Sequence, residues 1–519
     1  METTEATLTK RQSIAAGVVA VAVSLAVSEL LAGLVDRVPS AISSIGTYII
    51  DITPPAVEDW AIGTFGTNDK AVLYIGTVVV ALGLGVLAGI GVHRRGFLAA
   101  LPLFVGFGAV GLVASLNQPL ISGVLTVLAG VLTVGTGLYV LWWMLATPHP
   151  LQSPAVIGEP TDGLPIDASR RQFMARAAGV GTVAVVGGVF GRRLISVTRT
   201  PDVVLPPAAE TLAAPVAINS FAVQGLAPII TPNDNFYRID TATIIPRINE
   251  TRWSMKLEGL VDNPLEFTFD QLLAMDLVED FVTISCVSNE VGGGLVGNAK
   301  WTGVPLATLL EMAAPQEAAE QVVGWSVDGW SSGFPIEAAM DDRGAMVAVA
   351  MNDEPLPQRH GFPARLIVPG LYGYVSATKW LDRIELTTWD GFDSYWVPRG
   401  WAKEGPIKTQ SRIDVPRNRD RLAPGEVIVA GVAWAPLKGI EKVEVRVNEG
   451  AWVPAETSDP LSIKAWVQWK TTVTLVEGVH LLSVRATDGN GITQTAQVVR
   501  PRPDGATGHH TIRVQATSS

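Results

Sequence analysis

Four uninterrupted apolar stretches, residues 14–35, 71–92, 97–116 and 120–146, fill the first 146 positions of this 519-residue chain. Each is long enough to cross the ~30 Å hydrocarbon core of a bilayer as a helix. A mean hydropathy of +0.31 with 17% charged residues is too apolar for an ordinary water-soluble chain. The excess is concentrated in these stretches, which predicts an N-terminal α-helical transmembrane bundle over residues 1–150. Only the first stretch contains a charge, Glu29. A contact inside the bundle or near its interface is the expected role, with a proton or partner site as the alternative.

Basic residues flanking membrane segments favour the cytoplasmic side. Lys10-Arg11 precede the first stretch, Arg94-Arg95 fill the turn after the second, and Arg170-Arg171 follow the fourth. The intervening loops carry Asp36, Asp51, Glu58, Asp59 and Asp69, or the neutral Asn117-Gln118-Pro119. A cytoplasmic N-terminus puts every basic cluster on one side. Ser169-Arg170-Arg171-Gln172-Phe173-Met174 resembles the twin-arginine export motif, and an uncharged stretch follows at 177–190. Fourteen residues suit the apolar region of an export signal better than a free-standing span. A basic stop before a fifth membrane segment is the other reading, and both leave the chain beyond about residue 195 extracytoplasmic. Residues 151–200 are thus read as a cytoplasmic linker, the arginine motif and a fifth membrane segment.

Two compositional halves follow. Residues 201–420 mix short strands (281–286, 365–368) with helical patches (304–312). From Gly425 the chain alternates in short strands (427–432, 441–447, 466–475, 480–487), with turns such as Asp488-Gly489-Asn490-Gly491 between them. That pattern predicts an immunoglobulin-like β-sandwich over 421–519. The exported part lacks basic runs, which argues against a nucleic-acid partner.

Cys286 is the single cysteine of the chain, so no internal disulfide holds the fold. A free cysteine is commonly a small buried hydrophobe. Here Phe281-Val282-Thr283-Ile284-Ser285 leads into the thiol, and Asn289 and Gly292-Gly293-Gly294 follow. Strand then glycine-rich loop presents a thiolate at a strand end.

The motifs around it resemble the sulfite oxidase family of molybdopterin-dependent oxidoreductases. They are Ile284-Ser285-Cys286-x-x-Asn289, Trp301-Thr302-Gly303-Val304-Pro305-Leu306 and Met351-Asn352-Asp353-Glu354-Pro355-Leu356-Pro357. His360-Gly361-Phe362-Pro363-Ala364-Arg365, Val368-Pro369-Gly370 and Ala377-Thr378-Lys379-Trp380-Leu381 complete the series. The likeness runs from about Thr231 to the C-terminus and leaves residues 1–200 uncovered. It implies an α+β molybdopterin-binding catalytic domain over 201–420, a Mo-molybdopterin cofactor, and a C-terminal domain that matches the family's dimerisation module, hence a homodimer. It implies Cys286 as molybdenum ligand and catalytic residue beside the two dithiolene sulfurs of the pterin, a donor set that suits a soft metal. His360, Arg365 and Lys379 match the phosphate and pterin contacts, with Ala377 and Thr378 in the same segment. Asn235, Tyr237 and Arg238 resemble an earlier pterin-contacting segment. An arginine fork suits phosphate because it donates to two oxygens at once.

Several positions depart from the sulfite oxidase pattern. Glu290 and Val291 stand where sulfite oxidases carry arginines, Val349 falls at the usual tyrosine, and Arg238 lies one position early with Ile239 in its place. The resemblance therefore implies oxygen-atom transfer at molybdenum with two-electron exchange to a separate carrier, a haem protein or a quinone. The small-molecule partner is an oxo-acceptor or oxo-donor. Reduction of a sulfoxide or another oxo-compound is the alternative reaction, and a non-enzymatic membrane interaction protein is the alternative of another class.

Overall fold

The computed structural model describes residues 9–35, 37–54, 57, 60–61, 64–65, 68–118, 121–146, 166–196, 203–209, 212, 220–242 and 244–518. Asp36, Glu58, Asp59 and the linker at 151–165 lie outside the described residues, as do the side chains of Ser169, Arg170 and Gln172. The chain forms two compact units, Met1–Thr198 with Thr241–Ile245, and Arg199–Asp240 with Pro246–Ser519.

The first unit contains α1 (Lys10–Leu34), α2 (Ala41–Ile52) and α3 (Asp69–Arg95), followed by α4 (Leu101–Leu116), α5 (Gly123–Leu145) and α6 (Ile166–Ser196). Five stretches are apolar and long enough to cross a membrane: Lys10–Leu34, Asp69–Arg95, Phe97–Leu116, Gly123–Leu145 and Phe173–Ile195. The fifth is longer than the fourteen residues read from the sequence. The helix continues through Gly191, Arg192 and Arg193, and Arg192, partly exposed, finds partners on α1, α2 and α3. Arg192 Nη1 lies 4.0 Å from Glu29 Oε2 and donates to Ser43 Oγ at 3.0 Å, and its guanidinium sits 4.6 Å over the Tyr74 ring. Glu29 is 1% exposed and accepts a hydrogen bond from Ser40. It is a contact inside the bundle that fixes α6 against α1. Close approach of α1 and α3 depends on glycine, since a Cβ on Gly17 would lie 2.2 Å from the Gly85 carbonyl oxygen.

The second unit begins with two sheets. In one, β1 (Ser254–Gly259), β2 (Leu265–Thr268), β5 (Gln321–Ser326), β6 (Ser331–Pro335) and β10 (Leu381–Thr387) lie in the order β2-β1-β10-β5-β6, with β1 and β10 parallel. In the other, β3 (Val278–Ser285), β4 (Val296–Pro305), β7 (Met346–Met351) and β8 (Glu354–Pro355) lie in sequence order, and β9 (Arg365–Ile367) pairs with β7. Residues 281–285 of β3 are all buried, the pattern of a strand covered on both faces. Several family motifs have plain mechanical reasons. At a register shift between β4 and β7, a Cβ on Gly303 would lie 2.2 Å from the Val347 carbonyl oxygen. Asn352 and Asp353, both at positive φ, make the two-residue hairpin joining β7 to β8.

Eight strands complete the unit: β11 (Gln410–Val415), β12 (Arg421–Leu422), β13 (Gly425–Trp434), β14 (Ile440–Val447), β15 (Val453–Thr457), β16 (Val467–Leu475), β17 (Gly478–Asp488) and β18 (His510–Ala516). They pair in the order β11-β13-β16-β15-β14-β17-β18-β12 around a core containing Val429, Val443, Val445, Trp469, Leu482 and Val514. β11 joins this sheet ahead of the compositional change at Gly425. Its buried Gln410 and Ser411 are polar, bonded to the Ala506 carbonyl and Gln494 at 2.7 Å each, which hides the strand's alternation in the sequence.

Candidate active site

β3 delivers Cys286. Ser285 still pairs with Val296 of β4, and Cys286 N donates to the Leu295 carbonyl at 2.9 Å before the chain turns away. Asn289 closes that turn twice, donating from its backbone to the Cys286 carbonyl (3.0 Å) and accepting from Leu295 N on its side chain (2.8 Å). A Cβ on Gly293 would fall 2.5 Å from Asn289 Oδ1, and one on Gly292 would fall 2.1 Å from the His510 ring. The glycines are therefore required by the tightness of the loop. Cys286 is 8% exposed, and its Sγ is 2.9 Å from Ser288 Oγ. Burial pushes the thiol above its ordinary pKa, while the Ser288 hydrogen bonds and the charge of Lys379 pull it back. A bound cation would strip the proton, as metals do from coordinating thiols.

Arg365, at the start of β9, is 5% exposed. Nη1 donates to the His360 carbonyl at 3.0 Å, Nη2 approaches the Ala377 carbonyl at 3.5 Å, and Nε has no hydrogen-bond partner. Among the described residues no carboxylate pairs with it. Its guanidinium lies 4.9 Å over the ring of Trp301, which is fixed beneath it by an Nε1 bond to the Val282 carbonyl at 3.2 Å. Burial pushes Arg365 down to about 10, a sign of the cost of keeping this cation out of water. A buried guanidinium with an orphaned N–H and no anion of its own fits a phosphate-bearing ligand.

The surrounding segments converge on it. His360 Nε2 donates to the Asn233 carbonyl at 2.7 Å, and burial pushes the imidazole down to about 3, so it is neutral. Gly361 has φ +117, and a Cβ there would press on Lys379 and Arg365 at 3.1 Å. Asn352 of the β7–β8 hairpin donates to the Thr231 carbonyl (2.9 Å) and to Asn233 (2.8 Å), tying down the segment that leads to Tyr237. Phe236 stacks on Tyr237 and sets its edge against Trp301 and His360. Burial, reinforced by Cys286, pushes the Tyr237 phenol up, so it keeps its proton.

Lys379 Nζ donates to Asp240 at 2.8 Å and to the Ile239 carbonyl at 3.0 Å. Burial pushes it down to about 8, with Asp240 opposing. Arg238 pairs with the same carboxylate at 3.2 Å and is exposed, as is Asn235. Tyr237, His360, Arg365, Ala377 and Lys379 thus come together with Cys286, whereas Asn235 and Arg238 sit at the outer edge. Thr378 is buried, and its hydroxyl is engaged by Ser332 Oγ (2.7 Å) and the Gly324 carbonyl (3.2 Å), joining β5 and β6 to this segment. Sequence reading missed Asp240 and Asp328. Asp328 lies close enough to Asp240 and Lys379 for their charges to act on it, and burial pushes its carboxyl up. Its Asp328-Gly329 pair reads as an ordinary turn, so nothing local marks it. Glu290 is exposed, and Val291 lies near Gly508 of the C-terminal sheet.

Comparison with known proteins covers this region. A family model for the oxidoreductase molybdopterin binding domain matches residues 242–396. The uncharacterized oxidoreductase YuiH of Bacillus subtilis is 31% identical over 180 residues, 34% of this chain and 87% of that protein. Mitochondrial sulfite oxidase of Macaca fascicularis is 26% identical over 302 residues, 49% of this chain and 55% of that protein. The chain thus spans about half the length of the sulfite oxidases it matches. The crystal structure of the sulfane dehydrogenase SoxCD from Paracoccus pantotrophus aligns with a TM-score of 0.49 and 21% identity, covering 72% of this chain and 99% of that one.

Two expectations follow from this geometry. Arg365→Met should leave the thermal stability of the cofactor-free protein unchanged or raised, because an unpaired buried cation is removed. The same variant should weaken molybdopterin retention by about 1.5–3 kcal/mol, the worth of a charge-assisted contact. Calorimetry and pterin content measure the two effects, and full pterin occupancy would contradict the phosphate assignment. The second concerns acid. His360 is neutral when folded and titrates near 6.5 when unfolded, so its contribution is complete above pH 6.5 and is lost as pH falls toward 3. By pH 5 the loss is about 2 kcal/mol. Unfolding midpoints of cofactor-free protein should fall over this window, and His360→Gln should flatten the slope; an unchanged slope would contradict the assignment.

Proposed function

Because this chain belongs to the sulfite oxidase family of molybdopterin-dependent oxidoreductases, we propose that it is a membrane-anchored enzyme of sulfite oxidase type with Cys286 as its molybdenum ligand. The observation that carries this reading is the pairing of one buried strand-end thiol with a buried guanidinium that has no anion of its own among the described residues. Bound Mo-molybdopterin supplies oxygen-atom transfer with exchange of two electrons. Arg365, with His360 and Lys379 beside it, holds the terminal phosphate, and Ala377 and Thr378 give that segment its position. Asn235 and Arg238 border the pterin, with Asp240 orienting Lys379. Tyr237 Oη keeps its proton and serves as a neutral donor next to Cys286. Family membership sets aside the non-enzymatic alternative.

The membrane reading rests on five apolar helices with Lys10-Arg11, Arg94-Arg95 and Arg170-Arg171 on a common side. An odd number of crossings from a cytoplasmic N-terminus puts the catalytic unit outside the cytoplasm. Arg37, Lys70, Arg192 and Arg193 stand at the opposite ends of the spans, and of these Arg192 pairs with Glu29 at 4.0 Å. Arg170-Arg171 act as a twin-arginine signal for the folded, cofactor-loaded unit. The C-terminal strands form an immunoglobulin-like module that supports a homodimer.

A second reaction, reduction of a sulfoxide or related oxo-compound, is favoured by one observation. The cation whose charge reaches Cys286 is Lys379, which already faces Asp240, and Glu290 is exposed acid where sulfite oxidases carry arginine. A small dianion lacking one charge-assisted contact loses about 1.5–3 kcal/mol, roughly one to two powers of ten in affinity. Purified, molybdenum-loaded protein should therefore oxidise sulfite only with weak apparent affinity, and neutral oxo-compounds should compete well. Steady-state rates with sulfite and with a series of sulfoxides, scored separately for oxidation and reduction, test this. Tight, rapid sulfite oxidation would contradict the shortage of positive charge, and no turnover of either class by molybdenum-loaded protein would contradict the reaction type.

A further inference from the structure

The loop after β3 places one more polar group on the Cys286 sulfur. Ser288 Oγ lies 2.9 Å from Sγ, and among the described residues this hydroxyl has no other hydrogen-bond partner. The neighbouring Ser285 hydroxyl bonds instead to the Cys286 carbonyl, at 3.4 Å. The contact follows from the turn itself. Asn289 N donates to the Cys286 carbonyl at 3.0 Å and closes residues 286–289 into a four-residue turn. Aspartate or asparagine at the start of such a turn accepts from the backbone two residues on. Here the acceptor is sulfur, and both the N–H and the hydroxyl of Ser288 help to hold it as a thiolate.

Chemistry decides which atom donates once the sulfur is a metal ligand. A coordinating thiol carries no proton, so the Ser288 hydroxyl donates and Sγ accepts. The donor is preorganised, because buried Val287 precedes it and Asn289 after it is pinned by Leu295 N at 2.8 Å. Groups just outside a metal's ligands tune the metal through them. Hydrogen bonds to a ligand sulfur are one of the levers that set redox potential. Such a bond draws electron density from the sulfur and strengthens as the metal becomes electron-rich. It therefore stabilises the reduced centre over the oxidised one.

We propose that Ser288 is a positioning residue that raises the potential of the molybdenum held by Cys286, by donating its hydroxyl hydrogen bond to the ligand sulfur. The inference rests on the proposed function for the metal, and it adds a direction to that function. A raised potential favours uptake of electrons from substrate over their delivery to it. Ser288 thus stands on the side of substrate oxidation rather than sulfoxide reduction. The charge of Lys379 also reaches the sulfur, but that cation already faces Asp240. The hydroxyl is the contact that a single small substitution removes.

The test uses the full-length, molybdenum-loaded protein, with midpoint potentials read from the molybdenum EPR signal during a redox titration. Ser288→Ala should keep its molybdenum and shift the one-electron potentials negative. A neutral hydrogen bond whose strength differs up to about tenfold between oxidation states corresponds to about 60 mV per electron. Ser288→Thr, which keeps the hydroxyl, should return the potentials to the wild-type values. Ser288→Gly removes the same group and should repeat the alanine shift, which keeps the question decidable should the alanine variant lose its metal. Wild-type potentials in the alanine or glycine variant, or alanine-like potentials in Ser288→Thr, would overturn the proposal. Cys286→Ser separates this inference from the assignment beneath it. A changed EPR signal in Cys286→Ser beside unmoved potentials in Ser288→Ala would sink the role of Ser288 alone. An unchanged signal in Cys286→Ser would sink Cys286 as ligand, and this inference with it.

Discussion

A guanidinium taken out of water with no carboxylate among the described residues to meet it is the interaction around which the catalytic half is built. Desolvating such a cation costs several kcal/mol even after relaxation, and Arg365 recovers only part of that from the His360 carbonyl and the Trp301 ring. The neighbouring structure keeps the charge in place. Gly361 lets the preceding turn press against Lys379, the Asn352 hairpin ties down residues 231–233, and neutral His360 bridges the two. A fold that tolerates this arrangement is preorganised for an anion of fixed position, and the pterin phosphate of the family is such an anion.

The thiol depends on a second constraint, which comes from the C-terminal sheet. β3 has β4 on one edge. On the other, Thr283 N donates to the Lys464 carbonyl at 3.1 Å and Thr283 Oγ1 accepts from Trp466 N at 2.7 Å. Trp466 Nε1 then donates to the Ile229 carbonyl at 2.8 Å, and Lys464 pairs with Asp280. Beyond the strand, Arg412 donates to the Gly293 carbonyl at 3.0 Å, and His510 fills the space a side chain at residue 292 would need. The cysteine loop is thus clamped from both halves of one compact unit, so the sheet that reads as an accessory module is part of the frame that aims Cys286.

Signals carried by composition or by contiguous motifs were legible in the sequence, and signals carried by distant partners were not. The apolar stretches marked the long helices because twenty consecutive side chains agree. Helix α2 was invisible, being twelve residues with Ser43, Ser44 and Thr47 among them. The continuation of α6 through Arg192 could not be read locally, since its acceptors, Glu29 and Ser43, lie some 150 residues away. The same holds in the site. Cys286, His360, Arg365 and Lys379 stand in recognisable strings, whereas Asp240 and Asp328 acquire their roles only when Lys379 arrives between them. Thr378 is a motif position whose hydroxyl meets Ser332 and the Gly324 carbonyl, contacts that its own segment does not reveal.

The central claim is that Cys286 closes the sulfur set of the molybdenum. X-ray absorption at the molybdenum edge tests it most directly, because the number of sulfur neighbours is read from the scattering itself. Wild-type protein should show three, two from the pterin and one from the chain, and Cys286→Ser protein that retains its pterin should show two. Equal sulfur counts in the two proteins would contradict the claim and return Cys286 to the role of a small buried hydrophobe.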